Sequence, residues 1–198
     1  MLFSAFYCIF ELQMKTIRLR KIFYGIIGIA FLFAAVSCGS SRKTTYSTNN
    51  HHPNTKRNDR NVIQKYEGIL QTNLDPASAP LYEYLDKWMG APYRYGGSTK
   101  QGTDCSGLVM NVYKDLYNID VPHSSEKQYE ACKHINGKNL KEGELVFFRI
   151  NKEKTVSHVG IYLANNKFIH ATTKRGVMID DLSEPYYAKT YVGAGRFR

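Results

Sequence analysis

The chain predicts a segregated α+β fold, with N-terminal helices packed on a C-terminal antiparallel sheet of about five strands. Two observations carry this. Between residues 78 and 137 the apolar residues recur at helical spacing, and from residue 143 onward the period drops to two. Helices first and strands afterwards exclude the alternating order that builds a parallel sheet. A length of 198 residues suits one domain of ordinary size with appendages, and no internal repeat is evident.

Taken in order, "SAPLYEYLDKWMG" (78–90) sets Leu81, Tyr84, Leu85 and Trp88 on one helical stripe, with Gly90 as the stop. "APYRYGGSTKQGT" (91–103) is a Gly-rich loop. "DCSGLVMNVYKDLYN" (104–118) places Leu108, Val109, Val112, Leu116 and Tyr117 on a single face, so Cys105 falls in the first turn. A third helix starts at "SSEKQYEAC", where Ser125 and Gln128 have capping-box spacing, and ends at Gly137. Strands follow at 143–150, 157–164, 167–173, 176–180 and 190–197.

The first third reads as appendage. Residues 14–21, "MKTIRLRK", carry four positive charges and no acid, and the apolar run Ile22 to Val36 comes next. A basic segment, a short apolar segment and small residues make a secretory signal over residues 1–37, with translation expected to start at Met14. Fifteen apolar residues fall short of the roughly 20 that span a bilayer. Cys38, directly after "AVS", resembles the lipidated cysteine of bacterial lipoproteins. Residues 38–63 are polar and rich in Ser, Thr and Asn, which predicts a lipidated, disordered tether ahead of a folded domain at 64–198. The His51–His52 pair in that tether reads as solvated.

The formal charge of +10 is concentrated outside the domain: residues 1–37 carry net +3, residues 38–63 net +4, and residues 64–198 only net +3. With no recognition motif either, no nucleic-acid partner is expected. Cys8 precedes Met14 and Cys38 is the lipidation site, which leaves Cys105 and Cys132 for the domain. Their spacing permits a disulfide in an oxidising compartment without requiring one. Cys132, near the end of a helix, reads as core.

The chemistry centres on Cys105. A cysteine in the first turn of a helix faces unpaired backbone N–H groups and the positive end of the dipole, and both favour thiolate over thiol. Two histidines in the sheet are candidate proton partners, His158 and His170. A two-residue Asn165–Asn166 hairpin would set them on opposite faces. A three-residue loop or a bulge, pairing Tyr162 with His170, sets His158, Gly160, Tyr162, Phe168 and His170 together. The opposite face then collects Val159, Ile161, Leu163, Ile169 and Ala171, so burial selects this second arrangement.

The runs "YRYGG", "TDCSGLV", "LKEGELVFF", "HVGIYLANNKFIHA" and "YYAKTYVGAGRF", in that order and spacing, resemble the NlpC family of bacterial cell-wall cysteine peptidases, and in particular its lipoprotein murein endopeptidases. The resemblance covers residues 76–198. It implies a papain-like α+β fold and a Cys–His–His triad that hydrolyses amide bonds in peptidoglycan stem peptides or cross-links. Position by position, Cys105 matches the nucleophile, His158 the general base and His170 the residue orienting it. Tyr95 matches the tyrosine that helps hold the oxyanion beside the Cys105 N–H. Asp104 and Ser106 match positions that bind a substrate amino end in some members. No cofactor or metal is expected, a monomer is expected, and the membrane is met through the lipid on Cys38. Gly39 and Ser40 lack the aspartate that retains some lipoproteins at the inner membrane, which points to the outer membrane, facing the periplasm. On this reading activity falls on the acid side as His170 takes up a proton, near or somewhat below the ordinary histidine value of about 6.5.

Three other classes fit the sequence less well. A zinc module of Cys105, His158 and His170 lacks the closely spaced ligand pairs of structural sites. A non-catalytic wall-binding lipoprotein would not need a triad. An acyltransferase or lipid amidase could use the same thiol.

Overall fold

The computed structural model describes residues 53–150 and 154–197, all within one compact unit, Asn50–Arg198. The signal and lipidation readings, and the His51–His52 pair, lie outside the described residues.

The first described element corrects the reading of a disordered tether. Helix α1 (Pro53–Leu70) runs through its last eleven residues. Its polar composition hides a short stripe, Ile63, Tyr66 and Leu70, all buried. Tyr66 stacks obliquely on Tyr82 of α2 (Ala79–Asp86) with ring centroids 4.8 Å apart, and Lys65 pairs with Asp86. The helix stops at Gln71, whose φ is +54°. The Asn165 amide then donates to the Leu70 carbonyl at 2.8 Å. In α2, Leu81, Tyr82 and Leu85 face the core, followed by Trp88, and Gly90 breaks the run with φ +76°.

The Gly-rich loop folds as a minimal hairpin, β1 (Ser98–Thr99) with β2 (Gly102–Thr103), seated on the start of α3 (Cys105–Tyr117). The seat is tight. A Cβ on Gly97 would lie 2.4 Å from the Gly102 carbonyl oxygen, and one on Gly107 only 2.2 Å from that of Gly97. Glycine is needed at both positions for the loop to close over the first turn of α3. The expected face of α3 is buried at Leu108, Val109 and Val112, with Tyr113 beside them, while Leu116 and Tyr117 pack at its edge.

The third helix departs from expectation at both ends. The cap of α4 (Ser125–Ala131) is Ser124, whose hydroxyl accepts from the Lys127 N–H, and the helix ends before Cys132. Gln128 is no capping partner. It is buried and donates to the Ser106 and Pro122 carbonyls at 3.1 and 2.7 Å. Cys132 turns extended and leads into β3 (Lys133–Ile135), a strand too short to show a period.

The sheet therefore has six strands where about five were expected. In spatial order these are β3, β8 (Tyr191–Arg196), β4 (Leu145–Phe148), β5 (His158–Tyr162), β6 (Lys167–Thr172) and β7 (Gly176–Asp181), all antiparallel. Helix α5 (Pro185–Thr190), opened by a proline that presets its first turn, also went unread.

The β5–β6 register decides where the histidines point. Tyr162 pairs with Phe168 and Ile161 with Ile169, so the expected Tyr162–His170 pair is displaced by two residues. The loop is three residues, Ala164–Asn166, with both asparagines in the left-handed region that this residue type tolerates. A displacement of two leaves every side chain on its expected face. Val159, Ile161, Leu163, Ile169 and Ala171 join the core beneath the helices. Val146, Phe148 and Phe168 form a second cluster with Tyr187 of α5 on the opposite face.

Candidate active site

Asp104 builds the platform. It caps α3, its Oδ1 accepting from the Gly107 N–H at 2.7 Å and the Ser106 hydroxyl at 2.9 Å, with His123 Nε2 at 3.1 Å. Its Oδ2 accepts from the Gly96 N–H at 2.8 Å. Both oxygens are thus occupied in holding the loop to the helix, and Asp104 and Ser106 are buried. The pair suggested to grip a substrate amino end is engaged in this way, and neither residue lines the cavity described next.

Cys105, His158 and His170 line one cavity of about 610 Å³. His158 Nε2 lies 2.7 Å from His170 Nδ1. Nε2 of His158 is thus engaged in the histidine pair, and Nδ1 is its second ring nitrogen. Behind His170 stands a residue that the sequence reading missed. His170 Nε2 is 3.0 Å from Asp180 Oδ2, which also accepts from the Tyr187 hydroxyl at 2.5 Å. Arg175 Nη2 approaches the same carboxylate at 3.2 Å.

The electrostatics correct the expectation of a resting thiolate. Burial pushes the Cys105 thiol up to about 11, against the pull of the Val159, Ser106 and Cys105 backbone N–H groups. Burial also drives His158 down to about 3, aided by His170 and opposed by Asp180. His170 is lowered by burial too, with the Asp180 hydrogen bond opposing. Desolvation thus outweighs the helix terminus, and both shifts favour the thiol and the neutral imidazole. Asp180 stays ionised: burial works against it, but hydrogen bonds from His170 and Tyr187 and the Arg175 charge hold it below the usual carboxylate value.

The tyrosine of the loop is Tyr93, correcting Tyr95. Tyr95 is 88 % exposed, whereas Tyr93 lines the cavity and bridges to Thr103. Burial and then the neighbouring Cys105 raise its pKa, so it is a phenol and a donor. Cys105 and Cys132 are both free thiols and form no disulfide.

The NlpC/P60 family pattern matches residues 90–196, more than half of the chain. The chain belongs to the NlpC/P60 family. It is a hydrolase of the cysteine-peptidase type. Murein DD-endopeptidase MepS/Murein LD-carboxypeptidase of Escherichia coli K12 is 38% identical over 186 residues, covering 90% of this chain and 94% of the relative. An NlpC/P60 family protein of Bacillus cereus superposes with a TM-score of 0.55 at 32% identity, over 59% of this chain and 39% of that one. The chain thus spans about two fifths of that solved protein. The NlpC/p60 domain of peptidoglycan hydrolase SagA superposes with a TM-score of 0.52 at 26% identity, over 61% of this chain and 98% of the domain. Against this NlpC/P60 background the zinc alternative finds no donor geometry. The two rings are hydrogen-bonded to each other and to Asp180, and no group of three His, Cys, Asp or Glu side chains among the described residues is arranged to hold a metal ion.

Proposed function

We propose that the chain is a cell-wall endopeptidase that hydrolyses amide bonds in peptidoglycan stem peptides or cross-links, with Cys105 as nucleophile, His158 as general base and His170 as its orienting partner. The juxtaposition of the three side chains at one cavity, with the histidines 2.7 Å apart, carries this reading. The Cys105 thiol passes its proton to His158 Nδ1 as the sulfur attacks the scissile carbonyl carbon. The oxyanion is met by the Cys105 backbone N–H in the first turn of α3 and by the Tyr93 hydroxyl. Collapse breaks the C–N bond, and the leaving amine takes the proton from His158. Water then hydrolyses the thioester with His158 again as base, restoring the thiol.

The charge of the cavity supports a stem peptide. Among the described residues its lining includes Lys174 and Arg175 and no Asp or Glu, a complement to the free carboxylates such peptides carry. Incubating the purified domain with peptidoglycan and weighing the released fragments by mass spectrometry is the test. Fragments shortened at a stem or cross-link amide are expected, and a digest identical to that of buffer would overturn the reading.

The same proposal places the protein in the bacterial cell envelope, anchored by lipid on Cys38 to the outer membrane and facing the periplasm. The basic segment, the short apolar run and the small residues before Cys38 support this. Cys38→Ser is expected to yield soluble or uncleaved protein, because acyl chains supply the stable attachment. A cleaved variant that still fractionates with membranes would count against the anchor.

A further inference from the structure

We propose that Asp180 is a positioning residue that selects the tautomers of both histidines, so that the proton-accepting nitrogen of His158 is presented to Cys105 before substrate arrives. The inference rests on the peptidase reading above. A neutral imidazole carries one N–H and one lone pair, and its neighbours decide which nitrogen has which. His170 is 1 % exposed, so water plays no part in that choice. An ionised carboxylate only accepts, so at 3.0 Å from Asp180 Oδ2 the His170 Nε2 must carry the proton. Nδ1 of His170 is then a lone pair. His158 Nε2, 2.7 Å away, must donate to it, which leaves the lone pair of His158 on Nδ1.

The opposite string of tautomers would disable the site, and the structure contains the group that would drive it. Tyr187 Oη lies 3.5 Å from His170 Nε2 and is turned to Asp180 Oδ2 at 2.5 Å. Burial and the carboxylate keep Tyr187 a phenol, hence a donor. With Asp180 gone, that hydroxyl can donate to His170 Nε2. His170 then carries its proton on Nδ1 and donates to His158 Nε2, and the His158 proton moves to Nδ1, where it blocks acceptance from the thiol. Asp180 therefore does two things at once: it takes the proton of His170 and it holds Tyr187 away. The groups facing His170 are His158 from β5, Asp180 from β7, Arg175 from the β6–β7 turn, and Glu184 and Tyr187 from the start of α5. Arg175 is largely exposed, its side chain 61 % accessible, and supports the ionised state of Asp180 from the cavity side.

Long-range ¹H–¹⁵N spectra of the histidine-labelled protein read the tautomers directly and need no substrate, so they stay informative even if the peptidase reading fails. The wild type is expected to show the Nε2–H form for His158 and His170. Asp180→Asn keeps an acceptor, because Tyr187 holds the amide oxygen in place, and should keep both tautomers. Losing the charge should still move the acid limb of kcat to lower pH, since the anion favours both imidazolium forms. Asp180→Leu should shift both rings toward Nδ1–H and lower kcat roughly 10- to 100-fold at little change in KM. Adding Tyr187→Phe to Asp180→Leu should recover part of that loss. Unchanged tautomers in Asp180→Leu would overturn the inference. If that variant does not fold, Asp180→Ala takes its place: both Nε2–H forms retained there would overturn the inference equally, and their loss would support it.

Discussion

Cys105→Ser is expected to lower kcat on a stem-peptide substrate roughly 10⁴-fold or more while the protein folds as before. The exchange is nearly isosteric at a site where Cys105 is only 9 % exposed, so packing changes little. The chemistry changes a great deal. Even pushed up to about 11, the thiol gives up its proton far more readily than a serine hydroxyl would in the same surroundings. Sulfur is also the better nucleophile once His158 has taken that proton. Cys132→Ser is the control. Cys132 is buried against Gly195 and outside the cavity, so its kcat should stay within about twofold. Steady-state turnover beside a thermal melt separates the two. A serine variant at 105 that keeps its turnover, or a Cys132 variant that loses it, would remove Cys105 from the centre of the mechanism.

The division into helices and sheet was legible because it rests on a change of period, and periods survive in sequence wherever an element is long enough to repeat. Strand β3 is three residues, and α5 is six behind a proline, so neither repeats. Helix α1 failed for a different reason. From residue 57 onward it buries only Ile63, Tyr66 and Leu70, and the composition around them looks like a tether.

At the site, Cys105, His158 and His170 were readable from a helix start and from the parity of a hairpin. Parity is robust to the two-residue displacement found in β5–β6. Tyr93 and Tyr95 were not separable. Two residues apart, they would share a side in an extended loop, and only the bridge of Tyr93 to Thr103 and the turn that begins at Tyr95 separate the ring that lines the cavity from the exposed one. Asp180 could have been found by carrying the parity argument one strand further. Phe168 pairs with Asp180 and Lys167 with Asp181, so Asp180 shares the face of His170 while Asp181 takes the lysine. The resting thiol was out of reach, because burial of a polar-flanked cysteine is a tertiary fact and it reverses the sign that the helix terminus alone would set.

That reversal governs the second large effect. His158→Ala should cost roughly 10³- to 10⁴-fold in kcat, the scale of losing a general base from a site whose nucleophile rests as a thiol. In the wild type the buried His158 is held down to about 3, by desolvation first and by His170 second. A lowered value means that the ring stays neutral, and stays a base, as pH falls through the range where an exposed histidine with its ordinary value of about 6.5 would already be charged. His170 is shifted in the same direction. The acid limb of the wild-type pH–rate profile should therefore lie clearly below about 6.5, lower than the sequence alone suggested. Stability carries the same signature. Below about 6.5 the unfolded chain binds protons that the folded histidines refuse, so stability should decline as pH drops from there toward the folded values. His158→Ala removes one refusing group and should flatten that decline. A wild-type acid limb centred at the ordinary histidine value, together with a stability slope that the substitution leaves unchanged, would mean that His158 is solvated and charged at rest and that the thiol is ionised beside it.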